Sequence, residues 1–194
     1  VYVYFAFEKD VELYNPRGWL AVDVNENNVT VLVDGRAFRF VTLLRKAVEK
    51  YHKYRRRLQT RLTVEVNGKK YPLYTLWRRK IAAVIVKTAR ELGYGMVVEK
   101  FPKRVQENMI NGVKDPILRH RIYQSAFRGV VKAIKDAAEK HGVLVTEVDP
   151  KYTSQTCPVC GFRPMTRSAG RVVTCSKCGF SHDRDVIACM NLLK

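Results

Sequence analysis

Four cysteines and three carboxylates are the residues of this sequence whose types and positions could do chemistry. Cys157 and Cys160 are separated by two residues, Cys175 and Cys178 repeat that spacing, and fourteen residues lie between the pairs. Two intervening residues let one tight turn aim both sulfurs at a single ion. The glycine after each pair, Gly161 and Gly179, suits a backbone passing close to a metal. Such twin knuckles read as a zinc ribbon around one structural Zn2+. An iron-sulfur cluster or thiol redox chemistry is the other use of four such cysteines.

The carboxylates are Asp23, Glu99 and Asp185. Asp23 interrupts the apolar run WLAVDV, Glu99 closes MVVE, and Asp185 follows the second knuckle, opening a segment that can be helical. Acids brought together from three elements repel one another unless divalent cations neutralise them, and hard oxygen ligands suit Mg2+ or Mn2+. Two such ions, roughly 3.5–4 Å apart, would activate a water and stabilise the leaving oxygen of a phosphodiester. Singly, each acid has a plainer reading: a carboxylate at a strand end is usually a solvated turn residue, and Asp183 and Asp185 could cap a helix. Residues two apart on a helical turn point in different directions, so Asp183 is expected to stand outside the metal site.

The elements that must position these groups are legible from spacing. Trp19–Val24, Val29–Val33 and Arg36–Val41 read as three consecutive antiparallel strands, the last two joined by the hairpin dipeptide Asp34-Gly35. From Thr42 the apolar residues recur at helical spacing, and Arg45, Lys46, Lys53, Arg55, Arg56 and Arg57 take the other faces. Thr63–Pro72 holds an Asn67-Gly68 turn between β-like runs. Tyr74–Leu92 reads as a second helix, with Arg78 and Arg79 extending a basic surface. Met96–Val98 is a short strand, Phe101–Pro116 a polar loop, Ile117–Lys140 a third helix, and Val143–Val148 a fifth strand. This order is close to a ribonuclease H-like (RuvC-like) α/β fold, a mixed five-stranded sheet flanked by helices with an inserted zinc ribbon. In that fold Asp23, Glu99 and Asp185 take the three acidic places.

Thirty-six Lys and Arg against eighteen Asp and Glu give a formal charge of +18, which points to a polyanionic partner. The basic side chains above are the candidate nucleic-acid contacts; a solvated charged face is the plainer reading of any one such helix. No apolar run is long enough to cross a bilayer, and no small-molecule site is indicated. Four of five cysteines in metal spacing suit a reducing compartment. Cys189 reads as a small buried residue. The chain opens on Val1 rather than Met, and Val1–Phe7 reads as a strand left from a longer protein.

On these residues the sequence resembles the C-terminal part of the TnpB (OrfB) proteins of bacterial and archaeal insertion sequences, relatives of the type V CRISPR nucleases. The matching stretches are AVDVNENNVT, MVVEKF, HGVLVTEVDPKYTSQTCPVCG and CSKCGFSHDRDVIACMNLL. The resemblance implies a RuvC-like nuclease interrupted by a zinc ribbon, guided by an RNA from the element's end to cut DNA. It places the three acids on Asp23, Glu99 and Asp185, with one or two Mg2+ or Mn2+, and zinc on Cys157, Cys160, Cys175 and Cys178. The implied partners are DNA and, in the full-length protein, a guide RNA, in a prokaryotic cytoplasm at the nucleoid. The expected division is 1–15, a remnant strand; 16–152, the RuvC-like domain; 153–181, the ribbon; and 182–194, the closing helix. Two positions depart from the family pattern: Ile187 stands where Asn is common, and Asn25 where Gly is common. The alternative function is a non-catalytic nucleic-acid-binding or regulatory transposon protein.

Overall fold

The computed structural model describes residues 8–41, 63–102, 104–116, 118, 119, 122, 127–167 and 170–194. The expected opening strand at Val1–Phe7 and the basic helix from Thr42, with Arg45, Lys46, Lys53, Arg55, Arg56 and Arg57, lie outside the described residues.

Strands β1 (Gly18–Val24), β2 (Asn28–Val33) and β3 (Arg36–Val41) pair antiparallel in succession. Asp34 and Gly35 between β2 and β3 both have positive φ, 47° and 73°, the turn whose twist matches that of its flanking strands. Asn67-Gly68, at 50° and 73°, makes the same turn between β4 (Thr63–Val66) and β5 (Lys69–Pro72). Helix α1 (Leu73–Leu92) then returns the chain to β6 (Tyr94–Glu99) and stops at Gly93, whose φ of 66° ends the helix at little steric cost. After α2 (Val105–Ile110) and α3 (Phe127–Lys140), β7 (Val145–Val148) completes the sheet. β6 pairs parallel to both β1 and β7, so the strand order is β3-β2-β1-β6-β7, a mixed five-stranded sheet of the ribonuclease H-like kind.

The period of two along a strand assigns the faces. Leu20, Val22 and Val24 of β1 and Met96 and Val98 of β6 face α1 and α3. There they meet Ile81, Ile85 and Ala89 of α1 and Val130, Ile134 and Ala138 of α3. Ala21 and Val97 face the other way and pack under α4 (Arg184–Leu192), against Val186, Cys189 and Leu192. Asp23 and Glu99 each stand two residues beyond Ala21 and Val97, so the same alternation turns both acids toward α4.

The ribbon is a three-stranded sheet of β8 (Thr166–Arg167), β9 (Val172–Thr174) and β10 (Ser181–Asp183), in the order β10-β9-β8. Three expectations are corrected. The stretch read as loop contains α2, a six-residue helix whose N-cap, Arg104, makes no side-chain cap, so no local signal marked it. The strand at Met96–Val98 runs longer, from Tyr94 to Glu99. The fifth strand is shorter than expected: Val143 is buried ahead of β7 rather than paired within it. Among the described residues no helix is long and apolar enough to cross a membrane.

Candidate metal centres

Each cysteine knuckle closes on the same pair of hydrogen bonds. Gly161 N–H donates to the Cys157 carbonyl at 3.0 Å and Cys157 N–H to the Phe162 carbonyl at 2.9 Å. Gly179 and Cys175, with Phe180, repeat them at 2.9 and 2.8 Å. Gly161 and Gly179 have φ of 72° and 73°, the left-handed backbone that lets each turn fold back on its sulfurs. All four sulfurs lie within 4.8 Å of one another, and two pairs, Cys157 with Cys178 and Cys160 with Cys175, are 3.6 Å apart. A tetrahedron with metal-sulfur bonds of about 2.3 Å has edges of about 3.8 Å, so the cluster fits Zn2+.

The proton affinities of the thiols agree with that fit. Burial works against the Cys157 thiolate, but the N–H groups of Cys160 and Val159 bring its pKa down to about 6. Cys175 is lowered against burial in the same way, by Cys178 and Lys177. At Cys178 the Phe180 N–H favours the thiolate, yet loss of water and the three neighbouring sulfurs push it up to about 12. A divalent cation at their centre would favour the thiolate at all four.

The second centre lies at the C-terminal ends of β1 and β6. Val22 and Val98 are the last residues paired between these strands, and Asp23 and Glu99 follow them side by side. The two carboxyls share a hydrogen bond, Asn25 Nδ2 donates to Asp23 Oδ2 at 2.5 Å, and a Val24 backbone group bonds to Glu99. Asp23, Glu99 and Asp185 are each at most 7% exposed. Burial, followed by the charge of Asp23 and its hydrogen bond, raises Glu99 to about 9. Burial raises Asp23 to about 6 against the pull of Asn25, Glu99, Arg184 and Arg171. One buried proton is thus shared where a cation could stand.

Asp185 lines the same pocket of about 410 Å³ as Asp23 and Glu99, together with Asn25, Glu26 and Arg184. Its carboxylate is not gathered with the other two: among the described residues, the four cysteines are the only such cluster with every ligand atom within 4.8 Å of the rest. Instead Asp185 Oδ2 is ion-paired with Arg171 of the ribbon and lies 3.6 Å from Arg39 of β3. Both guanidiniums also reach Asp183, Arg39 at 2.8 Å and Arg171 at 3.7 Å. This corrects the expectation that Asp183 and Asp185 diverge. Asp183 is the N-cap of α4, with extended backbone (φ −59°, ψ 133°), so the helical angle between residues two apart does not apply to it.

Arg39 and Arg171 are the residues near the centre that sequence reasoning missed, and their only signal was their charge. Of the expected nucleic-acid contacts within the described residues, Arg79 is exposed on α1, whereas half-buried Arg78 lies against Gly129 of α3. The ribbon and the acidic centre are joined through α4. Fully buried Ile187 packs with Cys157, Met165, Val173 and Cys175, and Asn191 Nδ2 donates to the carbonyls of Thr153 and Thr156, both at 2.7 Å.

The family model described as Cas12f1-like, TNB domain, matches residues 127–192. TnpB-like protein MJ0751 of Methanocaldococcus jannaschii is 27% identical over 207 residues, covering 97% of this chain and 72% of that protein. The CRISPR-associated endodeoxyribonuclease Cas12f1 of Syntrophomonas palmitatica is 28% identical over 89 residues, 45% of this chain and 18% of that one. The cryo-EM structure of a Cas12f1-sgRNA-target DNA complex contains a chain of the same fold, with a TM-score of 0.60 at 17% identity. That alignment covers 95% of this chain and 51% of the other, so the present chain spans about half of that protein's length.

Proposed function

This chain belongs to the family of TnpB-like proteins, kin of the type V CRISPR nucleases, and we propose that its ribonuclease H-like domain is a divalent-metal-dependent DNA endonuclease. Asp23, Glu99 and Asp185 are the proposed ligands of one or two Mg2+ or Mn2+, and Cys157, Cys160, Cys175 and Cys178 those of one structural Zn2+. The nuclease domain takes residues 16–152 and 182–194, and the ribbon 153–181. In the full-length protein a guide RNA selects the DNA.

The observation that carries this reading is the buried Asp23–Glu99 pair, which meets at two adjacent parallel strand ends on the face that also carries Asp185. A buried acid pair needs a shared proton or a cation, and hard oxygen ligands suit Mg2+ or Mn2+. Such ions, once bound by these carboxylates, would activate a water and stabilise the charge developing on the leaving oxygen. Asp23, fixed by Asn25, and Glu99, fixed by its bonds to Asp23 and Val24, orient their oxygens into the pocket. Arg184, which also lines the pocket, draws the phosphate backbone toward them. For Asp185 to act with the pair, its carboxylate has to exchange Arg171 and Arg39 for the ion.

Those ion pairs are also what favours the second reading, a nucleic-acid-binding or regulatory protein without turnover. A titration of this chain with Mn2+, followed by the electron paramagnetic resonance of free Mn2+, separates the two. Binding that is lost in Asp23→Asn and Glu99→Gln supports the nuclease; a wild-type chain that takes up no Mn2+ overturns it. In the full-length protein with its RNA, Asp185→Ala should then abolish cleavage of labelled DNA.

A further inference from the structure

Tyr152 stands between the last strand of the main sheet and the first knuckle with φ of +66°. That left-handed conformation favours glycine or asparagine, and bulky residues rarely take it. The backbone there is fixed by its carbonyl, which accepts from Gln155 N–H at 2.9 Å and from Thr156 N–H and Oγ1, both at 3.0 Å. A glycine or an asparagine would make the same turn with less strain. Burial does not account for the tyrosine either, because the residue is 41% exposed. What the ring touches is cationic. The guanidinium carbon of Arg163 lies 3.8 Å from its centroid and Lys151 Nζ 5.2 Å from it, and both of these residues are exposed. Pro150, Thr153 and Ser154, on either side of Tyr152 in the chain, line the acidic pocket.

We propose that Tyr152 and Arg163 form a stacking platform for an unpaired base of a nucleic-acid strand whose backbone continues toward the acidic pocket. The proposal rests on the nucleic-acid reading above and names the part of the partner that this surface takes. An aromatic ring and a guanidinium plane both accept the π-face of any base, so the platform tolerates any sequence. Lys151 adds charge for the neighbouring phosphate. The plainer role is a pin that ties the first knuckle to the end of the sheet; it predicts a loss of stability and no dependence on bases.

The test measures equilibrium binding of this chain to a fluorescein-labelled oligothymidylate and to an abasic oligomer of equal length, with thermal melting of each variant. Tyr152→Asn suits the left-handed backbone and should fold at least as well as wild type. It should lose about tenfold in affinity for the oligothymidylate, the scale of one stacked base, and nothing for the abasic strand. The salt dependence of binding should stay the same, because no phosphate contact is removed. Arg163→Lys, which keeps the charge but not the plane, should also weaken oligothymidylate selectively, and Tyr152→Trp should retain affinity. Unchanged affinity in Tyr152→Asn, or equal losses on both probes, overturns the platform. A wild-type chain that binds neither probe overturns the nucleic-acid reading itself.

Discussion

Asp183 accepts a hydrogen bond from the backbone N–H of Asp185 at 2.9 Å, so the two acids after the second knuckle hold different posts. Asp183 caps α4; Asp185 is carried on its first turn and faces the pocket. Asp183→Ala should therefore cost about 1 kcal/mol of stability, the usual worth of an N-cap, with Asp183→Ser recovering most of it in urea denaturation. Asp185→Ala should keep the cap but weaken Mn2+ binding, whereas Asp183→Ala should retain it. The reverse ranking in the Mn2+ titration would show the third acid to be Asp183.

Asn25 holds Asp23 Oδ2 at 2.5 Å, at a position where the resemblance leads one to expect glycine. A partner that fixes a ligand's orientation is worth about 10–100-fold in metal affinity. Asn25→Gly should therefore lower Mn2+ affinity by about tenfold while the turn, closed by the Asn25 N–H to Asn28 carbonyl bond of 2.8 Å, survives. An unchanged Mn2+ isotherm would make the contact incidental to the metal site.

Glu99 holds its proton up to about 9, chiefly through burial and then through the charge of Asp23, against 4.5 for an ordinary glutamate. The folded chain therefore keeps a proton that the unfolded chain loses, and this contribution to stability is full below the ordinary carboxylate range. It declines as the pH rises toward the folded value. Without added divalent cation, Glu99→Gln should flatten that decline and raise Tm by a few degrees at about pH 8. Calorimetry across this range decides it, and a wild type that gains stability relative to the variant with rising pH would contradict the assignment.

Metal analysis of the purified protein should find one zinc per chain, held by the four clustered sulfurs. Structural zinc contributes on the order of 10–16 kcal/mol in peptides of this size, so Cys175→Ser should leave the amides of the ribbon unprotected from hydrogen exchange. The core between the sheet and α1 and α3 contains none of the ribbon's residues and should stay protected. Ribbon amides that remain protected in the variant would exclude zinc as the organiser.

The succession of strands and helices along the chain was legible because its signals are local: Asp34-Gly35 and Asn67-Gly68 each adopt the paired positive φ that those dipeptides advertise, and Gly93 and Gly142 follow helix ends. The meeting of Asp23 with Glu99 was legible once β1 and β6 were taken as neighbours, since one two-residue period turns both acids to the same face. The partners of Asp185 were not. Arg39 reaches it across the sheet from a strand near the start of the chain, and Arg171 from the ribbon, and neither contact leaves a periodic trace in sequence. The spacing of Asp183 and Asp185 misled for a related reason: an angle drawn on a helix fails where the first residue is the cap.

The placement of Ile187, on α4 under the main sheet yet packed among the ribbon's cysteines, bears on how this architecture can be re-engineered. A ribbon cut out as a cassette and grafted onto another scaffold would leave behind the side chain that fills its centre, and would lose the Asn191 clamp on Thr153 and Thr156. The smallest transplantable unit therefore ends with α4 and carries Asp185, one acid of the proposed metal site of this chain, along with it.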